Sequence, residues 1–213
     1  MLTTYRTIAR AGEHEMDIKK SRFLVSIHRI SSEEEARTII HQIKKLHSKA
    51  NHHCHAFVLG DHSEIQRSSD DGEPSGTAGV PILEILKKNE LVNVLVVVTR
   101  YFGGVKLGTG GLIRAYAKST ASAIQTIGVV EGRLEQEVFI QTDYTLLNRI
   151  QNYLEKQEIA LLASEYGEKV TLTISSAQPE LLQSTLIDLT NGQADIALGE
   201  KHYFEYAVNT VDS

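Results

Sequence analysis

The sequence predicts an α/β protein, α+β in its detailed arrangement, built from two small domains at residues 1–128 and 129–213. Apolar residues repeat with the period of a strand in some segments and of a helix in others, and both kinds occur in each half. The charge also changes along the chain: residues 1–128 carry 17 Lys and Arg against 13 Asp and Glu, whereas residues 129–213 carry 5 against 14. The predicted boundary lies between Gly128 and Gly132.

The first domain is predicted to mix strands and helices. The segment VNVLVVVT at 92–99 is nearly all apolar, which is typical of a strand buried on both faces. Ser31 and Ser32 precede three glutamates, a pattern typical of a helix start with a hydroxyl cap and an acidic first turn. The predicted elements are strands at 22–28, 55–59 and 92–99, helices that begin after Ser32 and at 80–91 and 112–127, a polar loop at 60–80 and a glycine-rich turn at 101–111.

The second domain has a simpler rhythm. Its predicted strands lie at 138–142, 159–165, 169–175 and within 196–208, and its predicted helices at 146–157 and 179–190. The resulting order, β-α-β-β-α-β, is that of the ferredoxin-like fold.

Composition predicts a cytoplasmic protein. The hydrophobic fraction of 41% is close to the globular average. No apolar run reaches the roughly 18 residues that a membrane helix needs, so no membrane partner is expected. The first ten residues are polar and lack the apolar core of a signal peptide. The single cysteine, Cys54, cannot form an internal disulfide.

The strongest local signal is a glycine-rich segment, RYFGGVKLGTGG at 100–111, between the apolar strand and a helix. Its glycines leave backbone N–H groups unobstructed, and the helix N-terminus adds partial positive charge at the mouth of the loop. Cations and aromatic rings in the same segment suit phosphates that carry a stackable base. The candidate anion or nucleic-acid site therefore comprises Arg100, Tyr101, Gly103, Gly104, Lys106, Gly108, Gly110 and Arg114.

The alternative is a tight turn whose glycines serve packing alone. The segment is not a P-loop, because Gly110-Gly111-Leu112 stands where Gly-Lys-Ser/Thr is required, and it is not a dinucleotide fingerprint.

A second signal is the acidic loop around Asp70, Asp71 and Glu73. Its carboxylates offer oxygen ligands for Mg²⁺, or equally acceptors for the loop's own backbone amides. Ser75 lacks the G-x-S-x-G setting of a hydrolase nucleophile. We predict a surface loop that contributes these four residues to a binding face, with no catalytic residue among them.

A third signal is HHCH at 52–55. No second ligand pair at zinc-like spacing accompanies it, so no metal site is predicted. On a strand, His53 and His55 share one face and Cys54 occupies the other. Lys20 and Arg22, at the start of a predicted strand, are candidates for phosphate contact or equally part of a solvated strand start.

Several of these segments together resemble the signature blocks of the Impact/YigZ family, in order and spacing, over roughly residues 18–125. The blocks are Lys20-Ser21-Arg22-Phe23, Ser69-Asp70-Asp71-Gly72-Glu73-Pro74, Gly79-Val80-Pro81-Ile82-Leu83, and Thr99-Arg100-Tyr101-Phe102-Gly103-Gly104 with Leu107-Gly108.

The resemblance implies a first domain like the second domain of ribosomal protein S5, a fold that recurs in translational GTPases and small-molecule kinases. It implies a second domain like the C-terminal domain of the translocation elongation factor. Eukaryotic relatives act in translational control, and no established catalytic activity accompanies the family.

We predict a nucleic-acid or ribosome-associated binding protein, linked to translation or its regulation, that needs no cofactor. The basic first domain is expected to dock on RNA through the glycine-rich segment, with Lys20, Arg22 and Arg67. The acidic second domain would meet a basic ribosomal protein or shield the first domain from non-specific RNA. Two alternatives remain open: a phosphate- or nucleotide-handling enzyme that uses the 103–111 loop, and a protein-interaction regulator. Convergence of that loop, the 67–76 loop and Lys106 on one concave face would indicate a site.

Overall fold

The computed structural model of the protein describes residues 3–208. It divides this part of the chain into two compact units, one formed by residues 3–132 together with 205–208, and the other by residues 133–204. Both units combine helices with antiparallel strands, so the predicted two-domain α/β class is confirmed.

The first unit is built on a five-stranded antiparallel sheet in the order β2-β3-β6-β4-β5. A further strand, β1, pairs with β7, whose residues 129–132 belong to this unit. The elements are β1 (Thr4–Ile8), β2 (Gly12–Ile18), β3 (Ser21–Arg29), α1 (Glu33–Leu46), β4 (His52–Leu59), β5 (Ile65–Ser69), α2 (Gly79–Lys88), β6 (Val94–Tyr101), α3 (Thr109–Ile127) and the start of β7 (Val129–Thr142).

Helices cover both faces of this sheet, and the central strand β6 shows why its sequence is so apolar. Val94, Val96 and Val98 belong to the core beneath α2 and α3, whereas Leu95 and Val97 belong to the core beneath α1. All five are fully buried, which confirms the prediction of a strand buried on both faces.

The first helix begins where its sequence predicts. The Ser32 hydroxyl accepts a hydrogen bond from the Glu35 amide at 3.1 Å, and the Glu35 carboxylate accepts one from the Ser31 amide at 2.8 Å. These bonds satisfy backbone donors that the first turn of a helix leaves free.

The second unit has the element order β-α-β-β-α-β and the sheet order β10-β7-β9-β8, consistent with the ferredoxin-like prediction. Its helices cover one face, where Val138, Ile140, Leu172 and Ile174 form the core with Ile150. The elements after β7 are α4 (Tyr144–Lys156), β8 (Leu161–Tyr166), β9 (Val170–Ser176), α5 (Pro179–Thr190) and β10 (Asp195–Val208).

Three strands of the first unit were not predicted: β1, β2 and β5. Strand β5 lies inside the segment predicted as a long loop at 60–80, and the strand predicted at 55–59 in fact begins at His52. The last predicted helix of this unit begins three residues earlier, at Thr109, so the end of the glycine-rich segment is helical. Among residues 3–208, no helix combines the length and apolar character needed to cross a membrane.

Candidate functional site

A cavity of about 400 Å³ opens beside the N-terminus of α3 in the first unit. We call it the α3 cavity. Its lining comes from the start of β4, the acidic loop, the end of β6, the glycine-rich segment and α3: Asn51, His52, Glu73, Pro74, Arg100, Phe102, Lys106, Leu107, Gly108, Thr109 and Leu112. The structure therefore brings the glycine-rich segment, the acidic loop and Lys106 together on one concave face. Such convergence indicates a site.

The sheet register explains why distant segments meet here. His52 at the start of β4 stands opposite Arg100 near the end of β6, and Arg22 at the start of β3 stands opposite Tyr101. Because Arg100 alternates with Val98 and Val96, it lies on the sheet face that α3 covers. The loop after β6 then turns along the same end of the sheet into α3.

The floor of the α3 cavity is a buried ion pair. Arg100 is only 5% exposed, and its Nη1 lies 2.6 Å from Oε1 of Glu73, whose side chain is only 4% exposed. The other terminal nitrogen, Nη2, donates to the Ser21 hydroxyl at 3.2 Å. The third donor, Nε, has no hydrogen-bond partner among the described residues. A buried donor without an acceptor is costly, so the guanidinium keeps capacity for one more acceptor.

Two further buried groups, Tyr116 on α3 and Cys54 on β4, extend this network. The Tyr116 hydroxyl donates to Oε1 of Glu73 at 2.9 Å, and the Cys54 sulfur lies 3.2 Å from the Tyr116 oxygen. Burial raises the pKa of Cys54 to about 12, and burial likewise raises the pKa of Tyr116. Both groups therefore stay protonated at neutral pH, so Cys54 does not supply a reactive thiolate.

His52 forms one wall of the cavity with a defined tautomer. Its Nδ1 lies 2.9 Å from the backbone carbonyl oxygen of Asp71, which can only accept a hydrogen bond, so Nδ1 carries the proton. In the neutral ring Nε2 is then an acceptor, and it lies 3.9 Å from Oε2 of Glu73.

The N-terminus of α3 supplies unpaired backbone donors at the rim. The residue before the helix is Gly108, with φ 73° and ψ 166°, and no side chain caps the helix. The amides of the first turn therefore have no partner within the helix. Lys106 is exposed beside them and forms no ion pair with any described carboxylate. Together these groups carry positive charge and donors that suit an anion.

Apolar and aromatic groups complete the cavity. The Phe102 ring is 45% exposed, and its centroid lies 5.5 Å from the guanidinium carbon of Arg100. The Phe102 amide donates to the Asn51 side chain at 2.8 Å, which fixes the loop at this point. Leu107, Leu112 and Pro74 provide the remaining apolar surface.

Other predicted site residues lie in or next to the glycine-rich segment without lining the cavity. The turn that holds Lys20 packs against the glycine-rich segment so closely that a Cβ on Gly103 would lie 1.7 Å from the Lys20 carbonyl oxygen. Arg22 lies over the Tyr101 ring at 5.2 Å and pairs with Glu15 at 3.3 Å. Arg114 is exposed on α3, within reach of Gly110. Gly104 is exposed and has φ 83°.

The remaining predicted residues lie apart from the cavity. Arg67 pairs with Glu33 at 3.6 Å on the face of the sheet that α1 covers, so the structure does not bring it to the α3 cavity. Ser75 is exposed and does not line the cavity.

Asp70 and Asp71 serve the acidic loop itself. Asp70 accepts from the amides of Gly76, Ala78 and Gly79 at 2.8, 3.0 and 2.9 Å. Asp71 accepts from the His53 amide at 2.7 Å and from the Lys44 ammonium at 2.5 Å. The predicted alternatives were ligands for Mg²⁺ or acceptors for the loop's own backbone amides. In the structure, the two aspartates accept hydrogen bonds from backbone amides and, in Asp71, also from the Lys44 side chain. Within the described part of the chain, no group of three or more His, Cys, Asp or Glu side chains is arranged to hold a metal ion.

Of the cavity lining, sequence reasoning assigned only Glu73, Arg100, Lys106 and Gly108 to a site, and it missed His52 and Phe102 among the rest. Strand β4 begins at His52, not at His55, so His52 lies on the same face of the sheet as Cys54. This alternation in the sequence could have assigned His52 to the site. Phe102 was noted as an aromatic face but was not assigned to the site. A larger cavity of about 580 Å³ elsewhere on the first unit contains none of the predicted site residues.

These features define a class: an α/β protein of two units, the first of which has a cavity at a helix N-terminus. Comparison with known proteins identifies the family. A model of the Impact N-terminal domain matches residues 19–124, and a model of a domain of unknown function, DUF1949, matches residues 140–193.

Relatives match along nearly the whole chain. The "IMPACT family member YvyE" of Bacillus subtilis is 47% identical, covering 99% of this chain and 98% of the relative. The "IMPACT family member YigZ" of Escherichia coli is 33% identical over 84% of this chain and 90% of its own. A solved structure titled "Crystal structure of an hypothetical protein" is 30% identical with a TM-score of 0.59, covering 94% of this chain and 98% of that one. The chain therefore belongs to the Impact family, as the sequence blocks predicted.

Proposed function

We propose that this protein binds RNA with its first unit, at the α3 cavity and the cations around it, and acts in translation or its regulation. The observation that carries the proposal is that an exposed aromatic ring, Phe102, shares one cavity with Lys106 and the uncapped N-terminus of α3. Base stacking beside a positively charged groove is the usual basis of binding to single-stranded nucleic acid.

The positions of the surrounding cations support a polymer as the ligand. Lys20 is exposed next to Gly103, Arg114 is exposed next to Gly110, and Arg22 lies over Tyr101. Three cations beyond the cavity provide contacts for successive phosphates of a strand, which a single small anion would not use. The link to translation rests on the family resemblance and on the fold that it implies, that of a ribosomal protein domain.

Arg100 acts differently from the sequence-based expectation in this proposal. Its charge is compensated by Glu73, so it is not a free cation for steering RNA. Its guanidinium offers hydrogen-bond donors at the floor of the cavity, and Lys106 supplies the uncompensated charge. The acidic second unit remains a candidate surface for a basic partner protein, on charge alone.

Ultraviolet crosslinking of single-stranded RNA to the full chain, followed by peptide mapping, tests the proposal. The expected crosslinks are at Tyr101 and Phe102, with yields that fall as salt rises because RNA binding releases counterions. Crosslinks confined to residues 133–204, or none at low salt, would contradict the proposal.

One observation favours a second candidate, a phosphate-handling enzyme. The Nδ1 of His52 faces the Asp71 carbonyl oxygen, which leaves Nε2 of this cavity wall as the nitrogen that could exchange a proton with a bound hydroxyl. Mass spectrometry of RNA incubated with wild-type protein and with His52→Gln tests this candidate. Cleavage by wild type that His52→Gln abolishes would favour the enzyme, and intact RNA in both samples would reject it.

A further inference from the structure

We infer that the α3 cavity takes a single nucleotide with a terminal phosphate monoester, either a free nucleoside monophosphate or the phosphorylated end of an RNA strand. This inference rests on the proposed function and specifies the ligand of the same site. It goes beyond RNA binding in general because an internal nucleotide of a strand carries only phosphodiesters.

The size of the cavity fits one nucleotide. A volume of about 400 Å³ lies in the range of small-molecule sites and below the room that several nucleotides would need. The cations outside the cavity, Lys20 and Arg114, would contact the rest of a strand when the nucleotide is its end.

The donors that converge here exceed what a phosphodiester would use. They are the free amides of the first turn of α3, the Lys106 ammonium and the Arg100 guanidinium. A phosphodiester has two unbridged oxygens and one negative charge, whereas a terminal phosphate has three such oxygens and a charge of about −1.5 to −2 at neutral pH. The only carboxylate in the lining, Glu73, is already paired with Arg100 and Tyr116, so it would repel the phosphate less than a free carboxylate.

The buried Nε of Arg100 is the second, independent sign of a ligand. The polar side-chain atoms of an arginine that is 95% buried normally have hydrogen-bond partners, and the Nε of Arg100 has none among the described residues. Because Arg100 lines the cavity, we expect a phosphate oxygen at the cavity floor to contact its guanidinium. The apolar wall of Phe102, Leu107 and Leu112 would take the base.

The test is a fluorescence binding assay on the full chain with one labelled RNA octamer in three forms: 5′-phosphorylated, 3′-phosphorylated and with hydroxyls at both ends. Adenosine monophosphate and adenosine serve as competitors. We expect at least one phosphorylated form to bind about tenfold more tightly than the hydroxyl form, and adenosine monophosphate but not adenosine to compete. Phe102→Leu should weaken the binding of the phosphorylated octamer and of adenosine monophosphate about tenfold each, because the base loses its stacking partner. Tyr166→Leu, which removes another exposed ring, from the second unit, should leave these affinities unchanged.

The outcomes separate the inference from the proposed function. If all three octamers bind equally and adenosine monophosphate does not compete, the inference is wrong and RNA binding stands. If the monophosphate binds and no octamer does, the proposed function is wrong and the ligand is a free nucleotide. If neither binds, both are wrong. An equal loss of affinity in Phe102→Leu and Tyr166→Leu would also overturn the assignment of the base to Phe102.

Discussion

Glu73 and Arg100 form an ion pair of 2.6 Å in which both side chains are almost completely removed from solvent. The two residues stand 27 positions apart, one in the acidic loop and the other at the end of β6. The pair therefore fastens the loop to the sheet at the floor of the α3 cavity. It also holds the Arg100 guanidinium beside the Phe102 ring.

Removing one partner of this pair should destabilise the first unit strongly. Arg100→Met leaves the Glu73 charge buried with the Tyr116 hydroxyl as its remaining donor, and we expect a loss of about 3–5 kcal/mol in unfolding free energy. The double variant Arg100→Met/Glu73→Leu should recover much of that loss because no buried charge is left. Urea unfolding of the variants measures both values. A single variant within about 1 kcal/mol of wild type would contradict a structural role for the pair.

Asp70 should stabilise the start of α2 although it lies eight residues before Ala78. Its carboxylate accepts from three backbone amides at the entry to the helix, where the residue at the cap position, Ala78, offers no acceptor in its side chain. Asp70→Ala should therefore lower the unfolding free energy by about 1–2 kcal/mol. The matched control is Asp61→Ala, an exposed aspartate of the preceding loop, which should change it by less than about 0.5 kcal/mol. Equal losses in the two variants would reject the capping role.

The contribution of Asp70 should depend on pH in a defined direction. Burial raises the pKa of Asp70, but hydrogen bonds from the amides of Gly76, Gly79 and Ala78 outweigh it and hold the pKa below its ordinary value of 3.8. A depressed pKa means that the stabilisation is complete above the ordinary value and is lost as pH falls through the folded value. The stability difference between wild type and Asp70→Asn should thus shrink between about pH 5 and pH 2. Unfolding free energies measured across that window check the trend, and a constant difference would contradict it.

Gly103 should tolerate no side chain, in contrast to its neighbour. A Cβ on Gly103 would lie 1.7 Å from the Lys20 carbonyl oxygen, so backbone must move, and we expect Gly103→Ala to cost about 3 kcal/mol or more. Gly104 faces open space and has φ 83°, so Gly104→Ala should cost only the strain of that conformation, about 1 kcal/mol. Thermal melts of the two variants compare them directly. The reverse order would show that Lys20 and Gly103 do not pack as described.

The interior of both units could be predicted from hydrophobic pattern, whereas the edge strands of the first unit's sheet could not. Strand β6 and helix α5 follow apolar repeats that burial imposes, and α5 was predicted at its observed bounds. Strands β2 and β5 are the two edge strands of their sheet. Both contain few apolar residues: the sequence of β2 is GEHEMDI, and that of β5 is IQRSS. These segments form strands because they pair with a neighbouring strand, and the sequence of one segment alone does not show that pairing.

The site was predictable as a set of segments but not as a geometry. The glycine-rich segment and the acidic loop were both singled out, yet nothing local indicates that Arg100 is buried against Glu73 while Lys106 stays free. Arg67 was grouped with them on charge alone, and the register that pairs it with Phe57 puts it on the other face of the sheet. Tertiary pairing therefore decides which cations share the α3 cavity.

Binding of RNA at the α3 cavity is tested most directly by Lys106→Ala, because an exposed lysine without an ion pair contributes little to folding. The measurement is the affinity of the full chain for one single-stranded RNA at several salt concentrations, with Lys156→Ala, an exposed lysine on α4, as the matched control. We predict that Lys106→Ala weakens binding at low salt. It should also make the negative slope of log affinity against log salt less steep by about 1, while Lys156→Ala matches wild type. Unchanged affinity and slope in Lys106→Ala, with wild type binding normally, would contradict the assignment of RNA to this cavity.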